Sequence, residues 1–295
     1  MDIYDHSQEK ERGRSFMNNV NGSTKILGVI GDPIEHTGSP AIHNLLADKL
    51  GDNVVYVPFH VKARRLEEAV EGAYALGIEG LNVTVPHKVE VMQYVTELDD
   101  AALEIGAVNT LSRIRGGYKG YNTDFSGFMR ELDSVDIQVN GKNVIVLGAG
   151  GAAKAVMYAL KRLGASHVYI LNRSIEKAES IFGREANTTI MGFNDWKEIP
   201  EGKYICIQCT SVGLSPDDGA CVIEDEGFYD LIEAAVDLIY KPKETAFMKK
   251  VKAHGGRAYN GLKMLVYQAV SSYEFFMKKE VPEETAEELY RELDS

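Results

Sequence analysis

The sequence predicts an α/β fold made of two α/β domains that face a cleft. Three observations predict it. Strand and helix signals alternate regularly from Lys25 onward, the pattern of parallel sheets with helical crossovers. The stretch Val144-Ile145-Val146-Leu147-Gly148-Ala149-Gly150-Gly151-Ala152-Ala153 runs four apolar residues into a glycine turn, and Lys154 to Leu163 follows with a helical pattern. The chain has 295 residues, room for about two domains of ~150 residues each.

Before Lys25 the chain is polar. Met1 to Ser23 has no apolar core and is not a secretory signal. It reads as a flexible leader, either vector-derived or the product of an early start codon, with Met17 an alternative start. Ile26 to Ile30 is a short buried strand, and Gly31 to Gly38 a loop. Ser39-Pro40 reads as an N-cap with proline at the first helical position. That helix runs to about Leu50, and Gly51 suits its C-terminal cap. A strand, Val54 to Val61, and an amphipathic helix, Leu66 to Leu76, follow. Ile78 to Val85 is the next strand, and Pro86 permits a helix to about Val95. Asp99-Asp100 starts a short helix. Ala107 to Arg113 and Tyr118 to Tyr121 are strands around Gly116-Gly117. Asp124 to Leu132 is a helix leading out of this first unit.

The second unit opens at Val144. Beyond the glycine turn come strand His167–Asn172, helix Ile175–Ile181 and strands Tyr204–Cys209 and Ala234–Ile239. Helix Thr245–Ala253 and strand Arg257–Tyr259 follow. Leu262 to Lys279 is a long amphipathic helix, and an acidic helix starts at Glu283.

Bulk properties exclude several classes. A net charge of −12 argues against non-specific nucleic-acid binding and against an anionic membrane surface. No apolar run approaches the ~20 residues of a transmembrane helix. Three cysteines make no disulfide framework. Cys206 and Cys209, three apart on a strand, point to opposite faces as packed thiols, which suits a reducing cytoplasm. The histidines show no metal-ligand spacing, so no metal is expected.

The glycine turn carries the first chemistry. Gly148 allows the tight turn, Gly150 lets backbone approach a pyrophosphate, and Ala153 holds the third glycine position of the dinucleotide fingerprint. The N–H groups of Gly148, Ala149, Gly150, Gly151 and Ala152 open a helix whose dipole favours an anion. At the end of the next strand, Asn172-Arg173-Ser174 and Lys177 replace the acidic residue usual for NAD. Arg173 can pair a 2′-phosphate in bidentate fashion, so the expected cofactor is NADP(H).

Open α/β sheets bind ligands beyond the carboxyl ends of their strands, and three clusters of the first unit sit there. Thr37 and Ser39 bring hydroxyls to a helix start, suited to a carboxylate, although N-capping alone would account for Ser39. In Asn82-Val83-Thr84-Val85-Pro86-His87-Lys88, alternation puts Asn82 and Thr84 on one face, and Lys88 follows the strand end, where it can trade a proton with a substrate oxygen. In Tyr121-Asn122-Thr123-Asp124, Asp124 is either the partner of Lys88 or a helix N-cap. Asn109, inside an apolar strand, must find partners, and a ligand is one candidate.

These motifs in this order resemble the shikimate dehydrogenase family. The run is Gly31-x-Pro33-Ile34-x-His36-Thr37-x-Ser39-Pro40-x-x-His43-Asn44, then Asn82 to Lys88, Gly106-Ala107-Val108-Asn109-Thr110, Asn122-Thr123-Asp124, Gly148 to Ala152 and Asn172-Arg173-Ser174. The resemblance spans about Lys25 to about Lys279. It implies reversible NADP-dependent reduction of 3-dehydroshikimate to shikimate, in the shikimate pathway that leads to chorismate and the aromatic amino acids. It assigns Lys88 as the catalytic group and Asp124 as its partner. Thr37 and Ser39 are assigned to the substrate carboxylate, Thr84, Asn109 and Gln268 to ring hydroxyls, and Tyr240 to a place near the carboxylate. Asn172, Arg173 and Lys177 clamp the adenosine phosphate, and Gly261 and Met264 lie beside the nicotinamide. It further implies a substrate-binding domain of residues 24–123 and 261–295 and a Rossmann-like NADP-binding domain of residues 124–260, after a leader of residues 1–23. Small-molecule substrate is the expected partner. Oligomeric state is not written in any pattern here; a homodimer is the expectation.

Three departures stand out. Thr37 replaces the family's usual serine, which can shift preference among analogues such as quinate. Gln208-Cys209-Thr210-Ser211-Val212-Gly213 stands for Asn-Ala-Thr-Ser-x-Gly near the cofactor. Lys177 stands where arginine is common and grips a phosphate less rigidly. NAD use and quinate activity are the alternative reading.

Overall fold

The computed structural model describes residues 20–216 and 218–295; most of the leader lies outside them. The described chain divides into two compact units. The first is built around residues up to Leu98, Val108–Gly120 and Ser272–Leu289, the second around Asp99–Ala107, Tyr121–Ser271 and Tyr290–Ser295.

The first unit holds a six-stranded sheet. Its strands are β1 (Lys25–Gly31), β2 (Val54–His60), β3 (Gly80–Val83), β4 (Glu97–Leu98), β5 (Thr110–Ile114) and β6 (Gly117–Tyr121), in the order β2-β1-β3-β5-β6-β4. The alternation of signals predicts a parallel sheet, but only part of it is parallel. β1 pairs parallel with β2 and β3, whereas β3 and β5 are antiparallel. The reason lies in the connection: after β3 there is no long crossover helix, only a turn and short helical pieces, so the chain re-enters beside β3 running the other way.

Helix α1 (Ser39–Leu50) ends at Gly51 in the left-handed region, as expected. Its start corrects the sequence reading: Gly38 is the N-cap and makes no side-chain cap bond, so Ser39 is the first helical residue. Helix α2 (Leu66–Ala75) packs its buried Leu66, Val70 and Ala73 inward. The helix expected from Pro86 to Val95 is instead a turn and a short 3₁₀ stretch, Glu90–Tyr94. The segment is tied down too often to coil regularly. The buried His87 places Nε2 2.7 Å from the Val61 carbonyl, and the Lys88 carbonyl accepts from the Val108 N–H at 2.7 Å. Helix α3 (Asp100–Ile105) is capped by the Asp99 side chain.

In the second unit, α4 (Asp124–Ser134) leads to strands β7 (Asn143–Leu147), β8 (His167–Leu171), β9 (Thr188–Met191), β10 (Tyr204–Gln208), β11 (Ile232–Asp237) and β12 (Arg257–Asn260). Helices α5 (Gly151–Arg162), α6 (Ile175–Phe182) and α7 (Ala246–Ala253) alternate with them. All five pairings are parallel, in the order β12-β11-β10-β7-β8-β9. That is the two-halved mononucleotide-binding order, whose topological switch lies between its first and fourth strands, here β7 and β10. Strand β9 is absent from the sequence reading because Thr188-Thr189-Ile190-Met191 is short, polar and half-buried; edge pairing to β8, not a hydrophobic run, makes it a strand.

The sheet buries both faces, as a parallel sheet must. Val144, Val146, Ile205 and Ile207 pack in one core, and Ile145, Leu147, Cys206 and Leu171 in the other. Cys206 belongs to the second core and Cys209 packs on the first, so the two thiols do face opposite ways. Burial pushes both thiols above the usual cysteine range. Helix α8 (Leu262–Met277) is divided between the units at Ser271 and Ser272, and α9 (Glu283–Asp294) closes the chain. No helix among the described residues is long and apolar enough to cross a membrane.

Candidate active site

In the first unit, the loop after β1 carries Thr37 and leads into α1 at Ser39, both half-buried. The Thr37 hydroxyl donates to Ser39 Oγ at 3.2 Å and its oxygen accepts from the Ser39 N–H at 3.3 Å. The loop is staked by Asp32, which takes His60 Nε2 at 2.7 Å and Lys62 Nζ at 2.9 Å; these hydrogen bonds hold its carboxyl below the usual range. Thr84 stands just past β3, its methyl packed toward Gly31. Lys88 is half-buried on the turn that His87 and Val108 pin in place. His87 is thus a brace of that turn.

Asn109 is buried at 3% exposure, one residue before β5. The Thr110 hydroxyl donates to its Oδ1 at 2.8 Å. Behind it lies a buried set of neutral polar side chains, Asn82, Thr110, Ser272 and Tyr56. Burial raises the Tyr56 hydroxyl well above its ordinary range. Tyr56 and Asn109 are therefore joined within one unit through buried hydrogen bonds of Asn82 and Thr110. Apart from Asn82, sequence reading passes over this set, because Tyr56 and Ser272 come from distant positions with no local signal. A polar residue mid-strand, Asn82, is the signal that was available.

In the second unit, Asp124 opens α4. It is not the N-cap: that is Thr123, and the Asp124 N–H donates to Asn122 Oδ1 at 3.0 Å. Asn122 in turn donates to the Ala107 carbonyl at 3.0 Å. The structural reading of Asp124 as a cap thus falls away. Gln268 sits on α8, where it meets α4 at Gly127. A Cβ on Gly127 would lie 2.7 Å from the Gln268 backbone nitrogen, so only glycine permits this approach and it holds the Asp124 and Gln268 helices together. Tyr240 is half-buried after β11. The Gly261 N–H bonds the Ile239 carbonyl at 3.2 Å, and Met264 is buried in the core beneath the sheet.

The glycine turn ends β7 at the topological switch. Gly148 has φ +99° and a Cβ there would meet Thr210 at 2.7 Å, so the position demands glycine. Helix α5 starts at Gly151, three residues earlier than the pattern indicated, which draws the first-turn N–H donors into the turn itself. Among the described residues, nothing beyond their own turn and helix backbone lies within 4 Å of where a Cβ would stand on Gly150 or Gly151, and no acidic residue occupies the first helical turn. Open backbone donors at a helix start fit a pyrophosphate. The Ala149 N–H donates to Asn172 Oδ1 at 3.2 Å, and Asn172 Nδ2 donates to the Ser174 carbonyl at 2.8 Å. Asn172 therefore fixes the two turns relative to each other. Arg173 and Lys177 are exposed. The first carboxylate after β8 is Glu176, engaged by the Ser174 hydroxyl at 3.2 Å. The donor set suits a phosphate at this corner.

Gln208, at the end of β10, is fully buried and braces the following loop. Its Oε1 accepts from the Thr210 N–H, and its Nε2 donates to the Val212 carbonyl at 3.1 Å and to Asp237 Oδ1 at 3.3 Å. Asp237 also accepts from the Ile239 N–H and the Thr245 hydroxyl, and burial pushes its carboxyl up to about 6. Among the described residues no group of three His, Cys, Asp or Glu side chains could hold a metal ion.

Comparison with known proteins places this architecture. Residues 29–111 match the family model for the shikimate dehydrogenase substrate binding domain, and residues 131–214 match that for shikimate / quinate 5-dehydrogenase. A shikimate dehydrogenase (NADP(+)) from Caldanaerobacter subterraneus subsp. tengcongensis is 42% identical over 262 residues, 88% of this chain and 92% of its own length. The chain belongs to the shikimate dehydrogenase family. Among solved structures, a chorismate mutase/shikimate 5-dehydrogenase fusion protein from Clostridium acetobutylicum superposes with a TM-score of 0.87 at 36% identity, over 93% of this chain and 98% of that one. A shikimate dehydrogenase in complex with NADP+ superposes with a TM-score of 0.84 at 35% identity, over 94% and 98% of the two chains. Family membership makes this chain an oxidoreductase acting on CH–OH groups, with the two-sheet architecture of its relatives.

Proposed function

We propose that the chain is an NADP(H)-dependent shikimate dehydrogenase that reversibly reduces 3-dehydroshikimate to shikimate, with Lys88 as acid/base and Asp124 as its partner. The observation that carries the reading is the family match, which runs through the substrate-binding segment that bears Lys88. Bound NADPH supplies the hydride. The chain supplies the rest. Lys88 Nζ meets the negative charge that develops on the substrate carbonyl oxygen and gives it a proton. Asp124 orients Lys88 and accepts from a neighbouring hydroxyl. Thr37 and Ser39 receive the substrate carboxylate, Tyr240 lies near that carboxylate, and Thr84, Asn109 and Gln268 receive ring hydroxyls. The glycine turn from Gly148 to Ala152 holds the pyrophosphate, Asn172, Arg173 and Lys177 the adenosine phosphate, and Gly261 and Met264 flank the nicotinamide.

The proposal extends to organisation: a substrate-binding domain of residues 24–123 and 261–295, an NADP-binding domain of residues 124–260, and a cytoplasmic homodimer in the route to chorismate. Light scattering of the purified protein tests the dimer.

The functional test is an absorbance assay of NADP+ reduction with shikimate, run beside quinate and repeated with NAD+. The expected result is the highest kcat/KM for shikimate with NADP+. Lys88→Ala is expected to lose about 10²–10⁴-fold in turnover while still binding NADPH; unchanged turnover overturns the assignment. A second reading, quinate as a comparable substrate, is favoured by the match of residues 131–214 to a shikimate / quinate model and by the extra methyl of Thr37. Equal specificity constants for the two acids would establish it.

A further inference from the structure

The buried polar set behind Asn109 has a direction. Tyr56, from β2, donates its hydroxyl to Asn82 Oδ1 at 2.8 Å. The other end of the Asn82 amide then faces three oxygens: Ser272 Oγ at 2.9 Å, Thr110 Oγ1 at 3.2 Å and the Asn109 carbonyl at 3.2 Å. A backbone carbonyl only accepts, so this end is Nδ2 and the amide cannot be turned round without loss. Thr110 spends its single hydroxyl proton on Asn109 Oδ1 at 2.8 Å. Ser272 and Thr110 hydroxyls stand 2.8 Å apart, so between them Ser272 is the donor. The bonds run one way, from Tyr56 through Asn82, Ser272 and Thr110 to Asn109. Successive donors polarise one another in a low-dielectric interior, and Tyr56, Asn82, Thr110 and Ser272 are all buried.

The geometry has causes in the fold. Asn82 on β3 pairs directly with Thr110 on β5, so both side chains leave the sheet on one face. Ser272 reaches them from α8, whose neighbour Phe275 takes the Ser112 hydroxyl on its carbonyl at 2.8 Å. Tyr56 is held flat against the buried His43 ring, with centroids 4.2 Å apart and planes within 2°.

We propose that Thr110, backed by Ser272, Asn82 and Tyr56, is a positioning residue that sets the Asn109 amide with its carbonyl turned inward and its Nδ2 as the donor offered to substrate. The relay rests on the reading that Asn109 binds a substrate oxygen. It selects for an acceptor at that position of the ring. Removing the Thr110 proton takes away a donor that favours the inward-turned carbonyl over the reversed amide.

The test is a double-mutant cycle on the purified enzyme with shikimate and NADP+. Thr110→Val keeps the volume and removes the proton. Its expected effect is a loss of about tenfold in kcat/KM for shikimate, the worth of one neutral hydrogen bond, carried mainly in KM, with KM for NADP+ unchanged. Thr110→Ser restores the wild-type value. In an Asn109→Ala background, Thr110→Val adds nothing, because it acts only through Asn109. Equal losses in both backgrounds would make Thr110 a structural residue and overturn the inference. Loss in Asn109→Ala with none in Thr110→Val overturns the relay alone; no loss in Asn109→Ala overturns the substrate role of Asn109 and the relay with it. Ser272→Ala, one step further back, serves if Thr110→Val does not fold, with the same cycle against Asn109→Ala.

Discussion

The two units hold their candidate ligand groups in opposite ways. In the first, side chains do the work, and they are set from within by buried neutral partners: Tyr56, Asn82, Thr110 and Ser272 behind Asn109. In the second, the start of α5 leaves room around the backbone of Gly150 and Gly151, and Arg173 and Lys177, past the end of β8, are exposed. A nucleotide offers large, charged groups that dipoles and cations recognise without fine alignment. A small hydroxy acid offers hydroxyls whose donor and acceptor roles must be matched one by one.

The same contrast runs through the buried ionisable groups, and it can be broken by measurement. In the first unit burial drives the His43 imidazole down to about 3. Its folded value lies below the unfolded one, so the stability it contributes is present above about pH 6.5 and is lost as pH falls toward 3. At ~1.4 kcal/mol per pH unit this reaches about 5 kcal/mol. Chemical denaturation across that range should show wild type losing this much against His43→Phe; parallel curves would mean the ring is protonated without penalty.

In the second unit the sign reverses. Asp237 is pushed by burial up to about 6, above the ordinary 3.8. The stability it contributes is complete below about pH 3.8 and is lost as pH rises through about 6, a change of about 3 kcal/mol. Asp237→Asn removes that slope, so the difference in unfolding free energy between variant and wild type should grow from pH 4 to pH 6 and then level. A flat difference would show that Gln208, Thr245 and the Ile239 N–H satisfy the charge fully.

The smallest effect concerns the exposed corner. Arg173→Ala should lower the preference for NADP+ over NAD+ by about tenfold, the worth of a charged hydrogen bond partly screened by water. The readout is the ratio of specificity constants for the two nucleotides with saturating shikimate. An unchanged ratio would move the phosphate contact to Lys177 or to the turn itself.

Much of the fold is legible in the residues. Strands β7, β8, β10 and β11 announce themselves because a parallel sheet buried on both faces is written as unbroken apolar runs. Gly51 and Gly148 mark their turns because each takes a positive φ. Strand β9 and the turn at Pro86 are illegible for one reason. Each is decided by partners far away in the chain, β8 for the first and Val61 and Val108 for the second. The candidate site divides likewise. Lys88, Asp124, Asn172 and Arg173 lie in the segments that follow strand ends, where sequence position alone marks a candidate for facing a ligand. Gly127, Ser272 and Asp237 carry no such mark.

The sequence by itself determined the α/β class, the dinucleotide turn, the family and the residue types available for the chemistry. These depend on local periodicity and on motifs a few residues long. The tertiary structure alone decided that the first sheet is mixed, that α5 begins within the glycine turn, and that Asp124 is not a cap. It also decided which hydroxyl donates to Asn109. Direction in a hydrogen-bond chain depends on every partner at once, and those partners lie as far apart in the chain as Tyr56 and Ser272.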